Sequence, residues 1–135
     1  MLEKKSVILV IDDEESMRDS CSQALEKDGF LTYTAEDGSV GLEKIKQAKP
    51  DLVLIDLKMP GINGLVVLEK AKEIDSNIIA VVITGYATIE SAVEAMKKGA
   101  YDFLPKPFTP EELRIIIRRG LERRKLILET ESLQK

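Results

Sequence analysis

The sequence predicts an α/β fold in which a doubly wound parallel sheet of five strands is covered by helices. Aliphatic or β-branched runs occur five times, and segments with apolar residues at helical spacing separate them. Strands and helices that alternate through short links favour a parallel sheet. In chain order, the strand-forming runs are SVILVI, FLTYTA, DLVLID, IIAVVIT and the weaker YDFLP.

The first, third and fourth runs are the most continuously apolar, which is typical of central strands buried on both faces. Helical spacing is clearest in the first and fourth intervening segments. Their apolar faces are marked by Met17, Cys21, Ala24 and Leu25 in the first and by Ile89, Ala92, Val93 and Met96 in the fourth. Turn residues that separate the elements stand at Gly29, Pro50 and Gly99.

The last predicted helix has a well-defined start. Thr109 is a good N-cap, Pro110 takes the first helical position, and Glu112 completes a capping box. The residues expected to pack on the sheet are Leu113, Ile116 and Ile117.

The helical pattern continues past Gly120, further than a closing helix needs. Its apolar residues, which keep poor heptad order, are Leu121, Leu126, Ile127, Leu128 and Leu133. We therefore expect one globular domain over residues 1–125. Residues 126–135 are expected to form a helical extension that serves a partner or begins a linker to a following domain.

Composition argues against several classes of protein. Twenty basic and 24 acidic residues give a net charge of −4, and six aromatic residues without Trp offer no stacking platform for single strands, so direct binding to nucleic acid is not expected. The absence of His excludes imidazole metal sites, His-based triads and a self-contained phosphohistidine relay.

A cytoplasmic protein without a membrane segment is expected. The longest apolar runs fall far short of the ~20 residues needed to span a bilayer, and the chain does not open on a secretory signal pattern. The lone Cys21 has no second cysteine to pair with in the chain, which agrees with a reducing compartment.

Polar residues follow the ends of the predicted strands. In a parallel α/β sheet, ligands bind outside the carboxyl ends of the strands. The residues at those ends are Asp12 and Asp13 after the first strand, Asp56 at the end of the third, Thr84 at the end of the fourth, and Lys106 between Pro105 and Pro107 after the fifth.

The aspartates indicate a metal site. One strand-end Asp by itself is most simply a helix N-cap, but two central strands bring Asp12, Asp13 and Asp56 to one edge. Two carboxylates ~4 Å apart repel by roughly 4 kcal/mol at an effective dielectric near 20. Either one is protonated, as in a catalytic pair, or a cation lies between them. Oxygen ligands with open positions suit Mg²⁺, which is the favoured interpretation.

Thr84 and Lys106 extend this interpretation to phosphoryl transfer. Alone, each is more simply a strand-end residue or a solvated lysine. A cation, a hydroxyl and an ammonium converging on one carboxylate would stabilise added negative oxygen, as phosphoryl transfer requires. Asp56 is the candidate nucleophile that would form an acyl phosphate. The flanking prolines fix the geometry of Lys106, and Pro107 permits a cis bond.

With these residues placed, the chain resembles a two-component response-regulator receiver domain over residues 5–125. The resemblance rests on ILVIDDEESMR, LVLIDLKMPGINGL, VVITGYATIESAVEAMKKGAYDFLPKPF and the closing helix. It implies the flavodoxin-like (βα)5 receiver fold. It also implies that the domain catalyses its own phosphorylation and dephosphorylation and is not otherwise an enzyme.

The resemblance implies a role for each residue of the acidic cluster. Asp56 would be the phosphoacceptor. Asp13 would bind Mg²⁺ directly, Asp12 partly through water, and Asp56 and the main-chain carbonyl of Lys58 would complete the protein ligands. Mn²⁺ would substitute for Mg²⁺.

The resemblance also implies a conformational switch. Thr84 would hydrogen-bond the phosphoryl group, Lys106 would form an ion pair with it, and Phe103 would turn inward as Thr84 moves. Gly85 would leave room beside the site, and Tyr86 would partly shield it from water.

The implied partner is a sensor histidine kinase, whose phosphohistidine, or a small acyl phosphate, donates the phosphoryl group. Residues 85–108 and the long last helix are most similar to receivers of the nitrogen-regulation class of enhancer-binding transcription activators, although hybrid histidine kinases also contain such receivers. The sequence contains neither a helix-turn-helix nor a P-loop motif. An output domain in a longer parent protein and a receiver that acts alone both stay open.

Three other functions compete with this interpretation. A flavodoxin-like FMN protein would need a phosphate loop where the sequence has DDEES. An aspartyl phosphatase would need a second acid where the sequence has Lys58. A module that dimerises or binds without phosphorylation would retain the fold but not use the site.

The basic stretch RRGLERRK suggests a dimer face of the last helix better than a nucleic-acid surface. Our hypothesis is that its arginines pair with acids of a second copy. The arginines are Arg118, Arg119, Arg123 and Arg124, and the acids are Glu90, Glu94 and Asp102.

Overall fold

A computed structural model describes residues 5–85 and 88–133. They form one five-stranded sheet in the order β2-β1-β3-β4-β5, in which all neighbouring strands are parallel. This confirms the predicted fold class. The strands are β1 (Val7–Ile11), β2 (Leu31–Ala35), β3 (Leu52–Asp56), β4 (Ile79–Thr84) and β5 (Asp102–Pro105).

Five helices alternate with the strands along the chain. They are α1 (Glu15–Lys27), α2 (Gly38–Ala48), α3 (Gly64–Ile74), α4 (Ile89–Lys97) and α5 (Pro110–Leu133). None of the described helices combines the length and the apolar character that crossing a membrane requires.

The three strands predicted to be central are central. β3 and β4 are buried throughout, and β1 is buried at all but its first residue. The edge strand β2 alternates between exposed and half-buried positions before Ala35, as expected for a strand with one face toward solvent. Continuous burial therefore separates the central strands from the edges, as the apolar runs predicted.

The helices cover the two faces of the sheet with separate apolar cores. On one face, α1 and α5 pack through Cys21, Leu25, Leu113 and Ile117, with Ile116 half-buried beside them. The other core is formed with α2, α3 and Ala95 of α4. The predicted inner faces of α1 and α5 are therefore confirmed. Burial also raises the pKa of the Cys21 thiol to about 11, in agreement with its prediction as a small core residue.

Three of the four residues in the predicted apolar stripe of α4 are exposed, and Ala92 is half-buried. Ile89 retains 86% of its accessible surface, and Val93 and Met96 are also exposed, while Ala95 is buried. Helical spacing identified one face of α4 correctly, but that face points away from the sheet. The small side chain of Ala95 lets the helix lie against the body without burying its larger residues.

The start of α5 forms as predicted. The Glu112 backbone N–H donates to Thr109 Oγ1 at 3.0 Å, and Glu112 Oε1 accepts from the Thr109 backbone N–H at 2.9 Å. The helix then continues for 24 residues to Leu133. Leu126 and Leu128 are exposed on its extension, and the side chain of Leu133 lies outside those that the structure describes.

An ionic cluster around Arg124, just before this extension, fixes α5 to the amino-terminal edge of the sheet. Arg124 Nε donates to Asp51 Oδ1 at 3.0 Å, and its Nη1 donates to Asp75 Oδ2 at 3.1 Å and to the Asn77 carbonyl at 2.8 Å. The Val7 backbone N–H donates to Asp51 Oδ2 at 2.8 Å. One guanidinium therefore joins α5 to the loops before β3 and β4.

This cluster corrects the expectation that Arg124 faces a second copy. Its side chain is only 14% exposed and is directed toward its own chain. Arg118 likewise pairs within the chain, with both carboxylate oxygens of Asp28 at 2.8 and 3.0 Å. Arg119 and Arg123 remain exposed.

Replacing Arg124 by Ala is expected to lower the free energy of unfolding by about 1–3 kcal/mol, because two partly buried carboxylates and a carbonyl lose their charged donor. Amide hydrogen exchange in residues 121–133 should accelerate as well. Urea denaturation and hydrogen exchange would measure the two effects. Arg123→Ala, at an exposed neighbouring position, is the matched control, and equal effects of the two substitutions would contradict a stabilising role for the cluster.

A candidate phosphoryl and metal site at the carboxyl edge

The strand register brings the predicted polar residues to one edge of the sheet. The aligned pairs there are Ile11 with Ile55, Asp56 with Ile83, and Thr84 with Pro105. Asp12, Asp56, Thr84 and Lys106 therefore occupy adjoining positions where β1, β3, β4 and β5 end. The side chain of Asp12 and the whole of Thr84 are fully buried, and Asp56 is nearly so.

The Lys106 ammonium lies at the centre of this group. Its nitrogen is 2.9 Å from Asp12 Oδ2, 3.1 Å from Glu14 Oε1 and 3.2 Å from Asp56 Oδ2. The Lys106 backbone N–H donates to the Thr84 carbonyl at 2.9 Å, and the bond to Pro107 is cis. The predicted convergence of Lys106 on Asp56 is present.

The aspartates fit a divalent cation. Asp12, Asp13 and Asp56 each offer a carboxylate oxygen, and these oxygens all lie within 4.8 Å of one another. Asp12 Oδ2 is buried, and among the described residues no hydrogen-bond donor is aligned with it, even though the Lys106 nitrogen is nearby. A buried carboxylate oxygen without a hydrogen bond beside two other carboxylates is the donor set that Mg²⁺ requires.

The backbone also holds Asp12 in place. Asp12 Oδ1 accepts from the Glu14 backbone N–H at 2.9 Å, and the Asp12 carbonyl accepts from Arg18 Nη1 at 2.8 Å. These bonds fix the turn between β1 and α1. The turn directs the Asp12 carboxylate toward the site and leaves Asp13 exposed at its rim.

The charges of Asp56 and Lys106 depend on each other. Burial raises the pKa of the Asp56 carboxyl, and the charge of Asp12 adds to this rise, while the Lys58 N–H and the Lys106 ammonium oppose it. Burial lowers the pKa of Lys106, but its contacts with Asp12, Glu14 and Asp56 outweigh that effect and raise it overall. The surroundings therefore favour the charged form of Lys106 and disfavour the charged form of Asp56.

The β3–α3 loop positions Asp56 closely. The Lys58 backbone N–H donates to Asp56 Oδ1 at 3.1 Å, and Asn63 caps α3 by accepting from the Leu65 N–H at 2.8 Å. A Cβ at Gly64 would lie 2.4 Å from the Asp56 carbonyl oxygen and 2.6 Å from Leu57 Cα. Only glycine allows α3 to begin so near the end of β3. The Lys58 carbonyl as a metal ligand stays a prediction.

The predicted switch residues lie beside the site. Thr84 ends β4, and Phe103 is half-buried in β5 against the core that α2 and α3 form. A Cβ at Gly85 would meet no heavy atom within 4 Å, which agrees with the open space expected there. Tyr86, the predicted shield against water, lies outside the described residues.

Two contributors were not predicted. Glu14 contacts Lys106, and Arg18 supports the Asp12 carbonyl. Arg18 lies one turn into α1 and contacts a main-chain atom, which residue type and spacing do not indicate. Glu14 could have been recognised as a fourth acid on the loop that faces the lysine.

Fold and site together define a signalling receiver, and comparison with known families agrees. Residues 8–118 match the family described as the response regulator receiver domain. The match covers most of the chain, and the chain belongs to this family. It has the cluster of acidic residues at which receiver domains bind Mg²⁺.

Curated relatives place the chain near regulators of the predicted class. It is 36% identical over 115 residues to the regulatory protein AtoC and 32% identical over 118 residues to the DNA-binding transcriptional regulator NtrC, both from Escherichia coli strain K12. These matches cover 85% and 87% of this chain and 25% of each relative. The chain thus spans about a quarter of their length.

A solved structure is also similar to this chain over almost its whole length. NtrX from Brucella abortus is 37% identical and superposes with a TM-score of 0.91, covering 96% of this chain and 30% of that one. The resemblance to receivers of the nitrogen-regulation class is therefore confirmed.

Asp56→Asn is expected to raise stability at neutral pH, on the order of 1 kcal/mol, when divalent cations are removed with EDTA. When folding raises the pKa of a carboxyl group, ionisation of that group destabilises the folded protein. The free energy of unfolding therefore falls as the pH rises from the unfolded-state pKa through the folded-state pKa. The advantage of Asn should therefore shrink as the pH is lowered through that window. Urea denaturation over a pH series would measure it.

Asp19→Asn, at an exposed position of α1, is the matched control and should leave stability almost unchanged. A less stable Asp56→Asn protein would mean that the ion pair with Lys106 outweighs burial and repulsion from Asp12.

Proposed function

We propose that this chain is the phosphoacceptor switch of a two-component system and that Asp56 accepts the phosphoryl group. The observation that carries the proposal is the Lys106 ammonium, 3.2 Å from a buried Asp56 carboxylate that also lies within a cluster of three acids. The Lys106 charge beside such a carboxylate would stabilise part of the negative charge that a phosphoryl group adds.

Asp12, Asp13, Asp56 and the Lys58 carbonyl would hold Mg²⁺, or Mn²⁺ in its place. When bound, the ion would neutralise the carboxylates and the phosphoryl oxygens. An Asp56 oxygen forms a bond to phosphorus as the bond from phosphorus to the donor's imidazole nitrogen breaks. The imidazole recovers a proton from solvent. With a small acyl phosphate, the bond that breaks is the phosphorus–oxygen bond.

Thr84 and Lys106 would then bind the phosphoryl oxygens, through a hydroxyl and a charge-assisted hydrogen bond. Movement of Thr84 would let Phe103 turn toward the interior. The surface formed by α4, β5 and α5 would change as a result. The exposed apolar stripe on α4, headed by Ile89, supports this part of the proposal, because α4 buries little that would resist a shift.

The partner would be a sensor histidine kinase in the cytoplasm, and the output would be transcription through a domain of a longer parent protein. The similarity to AtoC, NtrC and NtrX supports this setting. The chain matches only a quarter to a third of the length of those proteins. A receiver of a hybrid histidine kinase is the alternative setting. The proposed activity is limited to phosphoryl transfer onto Asp56 and its hydrolysis, without turnover of other substrates.

Incubation with acetyl phosphate and Mg²⁺ is expected to add one phosphoryl group to the intact protein, because the site supplies the nucleophile and the charges that stabilise the transferred group. Intact-mass spectrometry would detect it. Asp56→Asn and EDTA should each abolish the adduct, and Glu15→Gln, an exposed neighbour of the site, should keep it.

An adduct that survives in Asp56→Asn would contradict the assigned acceptor. If the wild-type protein forms none, Mg²⁺-dependent binding of beryllofluoride is the second test, since it does not require a donor. Failure of both would favour a module that binds or dimerises without phosphorylation.

Phosphorylation is expected to promote a dimer through the surface of α4, β5 and α5. Arg119 is the better test of this than Arg118, because Arg118 already pairs with Asp28. Arg119→Glu should weaken the dimer at least about tenfold, since like charges across an interface cost several kcal/mol. Sedimentation of the beryllofluoride complex would measure it. Lys46→Glu, an equal charge reversal on α2, should have little effect.

A further inference from the structure

Glu14 contacts Lys106 from the solvent side of the site. It occupies the N-cap of α1, yet its side chain makes no capping hydrogen bond. Instead Glu14 Oε1 accepts from Lys106 Nζ at 3.1 Å. The Glu14 side chain is 58% exposed, whereas Lys106 is 11% exposed and Asp12 is fully buried.

The Lys106 ammonium already makes two hydrogen bonds with its three donors. Glu14 Oε1 and Asp56 Oδ2 accept them at 3.1 and 3.2 Å, and Asp12 Oδ2 lies 2.9 Å away as an ion-pair partner without an aligned donor. A phosphoryl group on Asp56 would bring several oxygens to the same ammonium, more than its one remaining donor can bind. An existing contact must then weaken or lengthen.

Glu14 is the contact that water can replace. Asp12 and Asp56 lie at the buried end of the site, where an uncompensated carboxylate is costly. The exposed Glu14 carboxylate keeps its hydration when the lysine turns away, so its release costs little. Of the three contacts, the one with Glu14 therefore costs least to release.

We propose that Glu14 is a positioning residue that holds Lys106 in the resting protein and competes with the phosphoryl group for it. The inference rests on the proposed function, because it assigns a regulator to the same lysine. Glu14 favours the unphosphorylated state, and its removal should favour the phosphorylated one.

Beryllofluoride with Mg²⁺ is the probe, and calorimetric titration of the whole chain gives its affinity. Glu14→Gln should tighten binding by about two- to fivefold, the fold-change that corresponds to a partly exposed ion pair. Glu15→Gln removes the same charge one residue further on and should leave the affinity unchanged. Equal effects of the two substitutions, or weaker binding in Glu14→Gln, would overturn the proposal.

A second measurement tests the resting contact without any ligand. In a double-mutant cycle on urea unfolding, Glu14→Gln and Lys106→Met should show favourable coupling, and additivity would also overturn the proposal. The experiments distinguish failure of the proposed function from failure of the proposed role of Glu14. A wild-type protein that binds no beryllofluoride and forms no phosphoryl adduct refutes the proposed function. A wild-type protein that binds it, with Glu14→Gln matching Glu15→Gln, refutes only the role of Glu14.

Discussion

The site depends on one buried cation that is shared among carboxylates. Without Lys106, two aspartates end adjoining central strands with their charges in a poorly hydrated place, and the strands could not both carry them at low cost. The ammonium offsets part of that cost. Asp12 Oδ2 still has no aligned donor among the described residues, and this oxygen supports the proposed cation site.

The fold supplies the precision that this chemistry needs. Parallel register sets Asp56, Thr84 and Lys106 one strand apart, and the glycine at position 64 lets α3 begin against the Asp56 backbone. Strand ends in a packed sheet move little, so Asp56 and Lys106 keep their separation. The proposed conformational change must then involve other elements, and α4 is the helix whose larger apolar residues are exposed.

The sequence predicted what depends on repeated patterns. Continuous apolar runs identified the central strands, and strand ends located Asp56, because parallel topology turns order along the chain into proximity at one edge. Apolar spacing could not predict which side of α4 faces the sheet, because Ile89 marks an apolar face whether that face packs on the core or is exposed. The partners of Arg124 were also beyond prediction, because a long side chain can reach several acids and only the folded chain shows which of them are near.

The two ionic clusters lie at opposite edges of the sheet and differ in kind. Around Arg124, one guanidinium binds two carboxylates and a carbonyl, and these contacts join α5 to the loops before β3 and β4. Around Lys106, three carboxylates face one ammonium, and this excess of negative charge agrees with the proposed cation site. A change at the second edge can reach α5 through the packed sheet, through β5, or through α1, which packs against α5. Since α5 is held both by its core face and by Arg124, α4 is where such a change meets least resistance.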